Sequence, residues 1–305
     1  MTGGKANLAA SVHQRLLNEA RRTTRPFSEL LQYFAMERFL YRLSRSQHAS
    51  RFVLKGGLML ASWRVAITRP TKDIDLLAQM SNDVGVLEGV VRDICGTTVP
   101  PDGMAFDAAS VAGERIAEEA QYEGVRIVFR GQLGSARVPM QIDVGFGDAV
   151  VPGPVQVDYP AILDFPAPVL GGYTRESAIA EKFHAMVLRG LLNSRMRDFF
   201  DVWALSRQFE FDGAELSAAI RETFARRGLE VPARPVALTE EFAIDAGKAQ
   251  QWAGFLRNNR LSNAPESLAL IVSHLAAFLG PVAAGLQAQE RFLRHWSPPG
   301  PWSVG

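Results

Sequence analysis

The segment Thr71-Lys72-Asp73-Ile74-Asp75-Leu76-Leu77-Ala78 constrains this chain more than any other. Ile74 to Ala78 reads as a strand, and in a strand residues i and i+2 project from the same face, so Asp73 and Asp75 stand side by side. The apolar neighbours put that strand at the edge of a core, where unpaired carboxylates are costly. Two such groups repel each other unless a cation sits between them. A hard divalent ion meets that need, since Mg²⁺ takes a few carboxylates together with the phosphate oxygens of a substrate. An Asp-x-Asp in a solvated loop would need no such partner, and the flanking Ile74, Leu76 and Leu77 argue against that reading.

Upstream, Lys55-Gly56-Gly57 follows the short apolar run Phe52-Val53-Leu54, and a helix starts over Leu58 to Trp63. Glycines without side chains let the backbone approach a triphosphate closely, and a following helix aims its free N–H groups at the anion. Taken alone, a Gly-Gly is a turn. A third carboxylate is expected on a neighbouring strand, and Val138 to Phe146 supplies Asp143 among apolar residues; its structural alternative is an Asp ending a strand. Asp148 follows Gly147 and reads as loop.

The rest of the chain reads as an α/β lobe flanked by helices and followed by a helical lobe. Pro26 and Ser28 open a helix carrying Leu30, Leu31, Phe34, Phe39, Leu40 and Leu43. Asn82 is placed to cap a helix carrying Val84, Leu87, Val91 and Ile94. Residues 97–110 read as a Pro/Gly loop, with strands near 114–121, 124–130 and 136–146. The Pro-rich stretch from Val151 to Pro168 marks a linker or the rim of a sheet. Helices are expected near 174–190, 197–208, 213–227, 239–258 and 265–279, with residues 298–305 frayed. The domains read as 1–50, basic leading helices packing on the core; 51–168, the α/β lobe; and 169–305, the helical lobe.

Composition excludes some classes. Cys95 is the single cysteine, so neither an internal disulfide nor a cysteine-built zinc site is available. Leu268 to Gln289 lacks charged residues and is long enough to resemble a membrane span. Ser273 and His274 within it, and a break expected at Gly280-Pro281, favour a buried helix followed by a turn, with no membrane partner and a cytoplasmic location. Residues 1–69 hold 12 Lys/Arg against 3 Asp/Glu, and the remainder 21 against 29. That asymmetry fits either a solvated basic face or a docking surface for nucleic acid or an acidic partner.

The order Gly-Gly, Asp-x-Asp, third Asp resembles the polymerase-beta-like nucleotidyltransferase superfamily. Two further motifs, Ala180-Glu181-Lys182-Phe183-His184-Ala185 and Arg197-Asp198-Phe199-Phe200-Asp201-Val202-Trp203, narrow the resemblance to the AbiEii/AbiGii-type toxins. It covers roughly residues 50–205. The resemblance implies an α+β, bilobed fold, with a small mixed sheet, flanking helices and a helical C-terminal lobe that completes a nucleotide pocket. It implies Asp73, Asp75 and Asp143 as metal ligands for Mg²⁺ or Mn²⁺, and Lys55, Gly56, Gly57, Lys182 and Arg197 as nucleotide-binding residues. Asp73, Asp75, Lys182 and Asp201 are then catalytic, with Asp201 activating the acceptor hydroxyl. Arg197 and Asp201, at i and i+4, share a helix face and are placed to pair; Asp198 points elsewhere, to cap or brace. His184 reads as a packed histidine rather than a base.

One departure is Leu58, where many superfamily members carry a Ser or Thr whose hydroxyl binds phosphate; Ser62 lies a turn later. The activity implied is Mg²⁺-dependent transfer of NMP from an NTP to an RNA acceptor, the tRNA 3′ end, by a toxin paired with a cognate antitoxin. The alternatives are nucleotidylation of a protein or small molecule on the same fold, or a non-catalytic nucleotide-binding regulatory protein.

Overall fold

Helical periodicity at the N-terminus yields two helices, α1 (Gly3–Thr23) and α2 (Phe27–Arg45), the second entered through Pro26 with φ −58°. The structure is a computed structural model and describes residues 3–67, 69–118 and 122–304. The chain then runs through β1 (Phe52–Lys55), α3 (Leu58–Ser62), β2 (Ile74–Ala78), α4 (Val84–Cys95), β3 (Met104–Glu118), β4 (Tyr122–Leu133), β5 (Ala136–Phe146), β6 (Val155–Asp158) and β7 (Val169–Gly172). These strands form one seven-stranded sheet, in the order β3-β4-β5-β2-β1-β7-β6. It is mixed: β2 lies parallel to β5 and β1 to β7, and the other pairs are antiparallel. Phe34, Phe39 and Leu40 of α2 and Leu87, Val91 and Ile94 of α4 share one apolar core with Ile74, Ile142 and Val144 of the central strands.

The expected strands and helices differ from the observed ones in several places. β3 begins at Met104, inside the stretch read as a loop, because Arg42 reaches across to hold its start. The Arg42 guanidinium donates to both Asp102 carboxylate oxygens (2.7 and 3.1 Å) and to the Met104 carbonyl. The far end of the expected 114–121 strand includes residues 119–121, which lie outside the described residues. Asp83, not Asn82, caps α4, its carboxylate accepting from the Val86 N–H at 2.9 Å. The Pro-rich 151–168 stretch contributes a rim strand, β6.

A second compact unit comprises residues 64–69, 148–154 and 173–305, whereas the sheet and its helices belong to the first. Its elements are α5 (Arg175–Arg189), α6 (Met196–Gln208), β8 (Phe211–Asp212), α7 (Gly213–Arg226), α8 (Glu240–Ile244), α9 (Ala246–Asn259), α10 (Leu268–Gln287), β9 (Arg294–Trp296) and β10 (Trp302–Val304). The single helix expected over 239–258 is two, because Asp245 takes an extended conformation and caps α9 at the Lys248 N–H. The expected break at Gly280-Pro281 is absent: α10 continues through Pro281. A proline there costs helix stability, but Phe278, Leu279, Val282 and Ala283 are buried around it and hold the turn in place. α10 has the length and hydropathy of a membrane span, yet it buries a helical stripe from Leu268 to Ala283 inside its own unit. Nor do residues 298–304 fray. Trp302 is buried, donates its indole N–H to the Phe278 carbonyl at 2.8 Å, and packs with Trp296 in a three-stranded sheet.

Part of the basic charge of residues 1–69 is engaged in pairs, some within the segment and some with acids outside it. Arg22 bonds Glu19, Arg25 bonds Glu29, Arg42 bonds Asp102, Arg69 bonds Asp201, and Lys55 is buried. Beside them, Glu37 is fully buried on α2 and accepts from the Ile162 N–H at 2.7 Å. Burial pushes its carboxyl up to about 7, against the lowering pull of Arg38 and that N–H. A folded value above the ordinary 4.5 means the contribution to stability is fully present below pH 4.5 and is lost as pH rises through about 7. Urea melts across that range are expected to show a midpoint that declines with pH, and Glu37→Gln is expected to flatten the decline.

Candidate active site

Strand register brings the predicted acidic residues together within the first unit. In the parallel β2–β5 pair, Asp75 is the direct neighbour of Asp143. In the flanking antiparallel pairs, Lys55 of β1 is opposite Asp75 and Arg126 of β4 is opposite Asp143. One row across four strands therefore reads Lys55, Asp75, Asp143, Arg126, two carboxylates bracketed by two cations. Asp73, at the bend just before β2, completes the group. Asp73, Asp75 and Asp143 each offer a carboxylate oxygen, and these atoms lie within 4.8 Å of one another. Such a set of hard oxygen donors suits a divalent cation.

Each carboxylate is oriented by a neighbour. The Thr71 hydroxyl donates to Asp73 at 2.6 Å. Arg126 grips Asp143 with two parallel bonds of 2.8 Å, and the Gln141 amide donates to the same carboxylate at 3.1 and 3.2 Å. A bidentate guanidinium fixes a carboxylate in plane. The bond to Asp143 also raises Arg126 above its ordinary value, so it stays charged. Arg126 takes one lone pair on each Asp143 oxygen, and the longer, shared Gln141 bond is the one a metal would displace.

Gly56 has φ +68°, and a Cβ built on it would overlap the Asp75 carboxylate. The turn thus needs glycine twice over, for its left-handed backbone and for the close approach of Asp75. A Cβ on Gly57 would come 3.0 Å from the Thr71 side chain, with the Thr71 hydroxyl 3.1 Å away. Leu58 is fully in the core, and the hydroxyl beside the glycine turn comes from Thr71 instead.

In the second unit, Lys182 and Asp201 meet but Arg197 does not join them. Lys182 Nζ lies 2.8 Å from Asp201 and 3.3 Å from Asp198. The expected Arg197–Asp201 pair is replaced by Arg69, whose Nε and Nη2 each bond Asp201 at 2.9 Å, while Arg197 is exposed. Asp198 braces as expected, also meeting Arg195 at 3.0 Å. Asp201 is completely buried; burial pulls its carboxyl up, but Arg69 and Lys182 outweigh that and hold it below its ordinary value. His184 is buried edge-on to the Phe224 ring, and Asp148 anchors Arg227 at 2.8 Å.

The family described as "Nucleotidyl transferase AbiEii toxin, Type IV TA system" matches residues 38–273. The chain belongs to this AbiEii family. Its members are nucleotidyltransferases of type IV toxin–antitoxin systems, so this is an enzyme of that class, with an antitoxin as its expected counterpart. The chain is also similar to two Helicobacter pylori structures. JHP933 is 14% identical, with a TM-score of 0.49, over 86% of this chain and 94% of that one. A candidate nucleotidyltransferase is 15% identical, also at 0.49, over 86% and 98%. No curated protein matches the chain.

Thr71, Arg126, Gln141 and Arg69 were not singled out from the sequence of this AbiEii-family enzyme. Gln141, two residues before Asp143 in the same strand, carried a local signal; Arg126 and Arg69 meet partners 17 and 132 residues away and carried none.

Two outcomes follow from this geometry. Gly56→Ala is expected to displace Asp75 and weaken Mn²⁺ binding, read by EPR titration with a non-hydrolysable NTP analogue present, by roughly 10–100-fold. Asp201→Asn removes the buried anion that Arg69 and Lys182 share and is expected to cost about 3–5 kcal/mol in a denaturant melt. Because the Asp201 carboxyl is depressed when folded, its contribution is present above its ordinary value of 3.8 and is lost as pH falls through the lower folded value. The variant's acid melt should lack that component.

Proposed function

We propose that this protein transfers a nucleoside monophosphate from an NTP to the 3′ end of an RNA, with tRNA as the acceptor, in a Mg²⁺-dependent reaction in the cytosol that an antitoxin restrains. The observation that carries the reading is the carboxylate cluster of Asp73, Asp75 and Asp143 beside a glycine turn, in a chain of the AbiEii family. Those three residues would hold Mg²⁺, which supplies Lewis-acid stabilisation of charge on the phosphoryl oxygens.

The protein's own part is orientation. The backbone of Gly56 and Gly57 takes the triphosphate, where no side chain keeps it at a distance. Thr71, Gln141 and Arg126 hold Asp73 and Asp143 in place, so that the acceptor hydroxyl and the α-phosphorus meet in a fixed geometry. The new bond joins the acceptor oxygen to the α-phosphorus, the bond to the bridging oxygen breaks, and pyrophosphate leaves as the hydroxyl proton passes to solvent. Lys55, opposite Asp75 in the strand row, supplies positive charge for the nucleotide. Asp201, held ionised between Arg69 and Lys182, is a weak proton acceptor; we assign it the positioning of the Lys182 ammonium rather than activation of the hydroxyl.

The test is incubation of the protein with total tRNA, Mg²⁺ and each α-³²P-labelled NTP in turn, beside Asp75→Ala. Label in tRNA that disappears in the variant is expected, and identifies the nucleotide used. Label in a protein band instead would move the acceptor to protein. No Mg²⁺-dependent transfer to any acceptor would sink the transferase reading.

A further inference from the structure

The face of the sheet that carries the carboxylates continues past them into a groove. Counting back along β5 from Asp143, and forward along β4 from Arg126, the cross-strand rows run Asp143/Arg126, Gln141/Val128 and Pro139/Arg130. Residues two apart share a face, so these three rows line one surface. Gln141, Val128, Pro139 and Arg130, with Lys72 from the lead-in to β2 and Gln32 from α2, enclose about 590 Å³, all within the first unit. Gln32 ties the wall together, donating to the Pro139 carbonyl at 3.0 Å and to the Lys72 carbonyl at 3.3 Å.

Groove and carboxylates share Gln141, which lines the one and bonds Asp143 of the other. The groove also lies on a definite side. The glycine turn follows β1 and flanks β2 from one side; the groove lies over β5 and β4 on the other. A displacement at phosphorus places the incoming and departing oxygens roughly in line. With the triphosphate on the glycine side, the incoming hydroxyl arrives from the groove side.

Charge selects the occupant. Among the described lining residues none is acidic, and two are cations. Lys72 is exposed, and among the described residues Arg130 pairs with Asp107, at 2.8 Å, where both side chains are well exposed. A surface pair of that kind is worth little and exchanges readily for a phosphate. Val128 is 43% exposed between these polar groups, an apolar patch on which a base or ribose can lie.

We propose that this groove binds the terminal single-stranded nucleotides of the RNA acceptor, with Lys72 and Arg130 meeting backbone phosphates and Val128 meeting a base. The proposal rests on the transferase reading above and adds the acceptor's path.

The test uses the full chain, a 5′-fluorescein single-stranded RNA octamer ending in CCA, and anisotropy titrations across a salt series. The Lys72→Gln/Arg130→Gln double variant is expected to reduce the slope of log affinity against log salt by about 0.7 per cation removed. Val128→Glu is expected to weaken binding by about tenfold or more at fixed salt. In the labelling assay both variants should raise KM for tRNA while KM for NTP stays near that of the parent protein, and thermal melts confirm that each variant is folded. Folded variants with unchanged salt slope and unchanged KM for tRNA, beside a parent that labels tRNA, would overturn the groove assignment alone. A parent that labels protein and no RNA would overturn the transferase reading for RNA, and the groove with it.

Discussion

Everything at the candidate site depends on the parallel pairing of β2 with β5, which sets Asp75 directly beside Asp143. Two carboxylates forced together on one sheet face carry an electrostatic cost that the fold must offset. It does so in the plane of the sheet, by placing Lys55 and Arg126 on the outer strands of the same row. A one-residue slip of any of these strands would turn its charge to the opposite face and leave the others uncompensated. The apolar alternates Ile74, Leu76, Ile142 and Val144, all buried on the far face, pin that register. Core packing and site electrostatics therefore specify the same alignment.

The second unit uses charge differently. Asp201 is enclosed by Arg69 and Lys182, and Asp198 by Lys182 and Arg195, so a helix pair that would otherwise bury bare ions holds a connected network. Removing an anion from such a network is far more costly than removing an exposed one, because the remaining charges cannot recover their hydration.

How much was legible in the sequence follows from how far apart the partners lie. The pair Asp73 and Asp75 declares itself, since a two-residue spacing in an apolar run has few other meanings, and Asp143 sits in an equally apolar strand. The α/β lobe and most helices followed from periodicity, and the α+β class from the family resemblance. Arg126 looks like any charged residue of an amphipathic strand until register sets it opposite Asp143. Arg69 gives no sign of Asp201. Local punctuation misled where tertiary contacts overrode it: Pro281 inside α10, and the Pro/Gly run before Trp302, whose indole is captured by Phe278. Leu58 drew attention as a missing hydroxyl, although Thr71 supplies one from a segment thirteen positions on.

The contact between Gly56 and Asp75 also bears on how this gene can vary. Most positions in a fold accept a graded series of replacements, each a little worse than the last. Position 56 has no such gradient, because the first added carbon already meets the Asp75 carboxylate and the backbone there already favours glycine. Two residues on, Leu58 faces an apolar interior that tolerates other side chains of similar volume. Within three codons, drift goes from forbidden to permitted, and a lineage that loses the first glycine loses the arrangement in a single step.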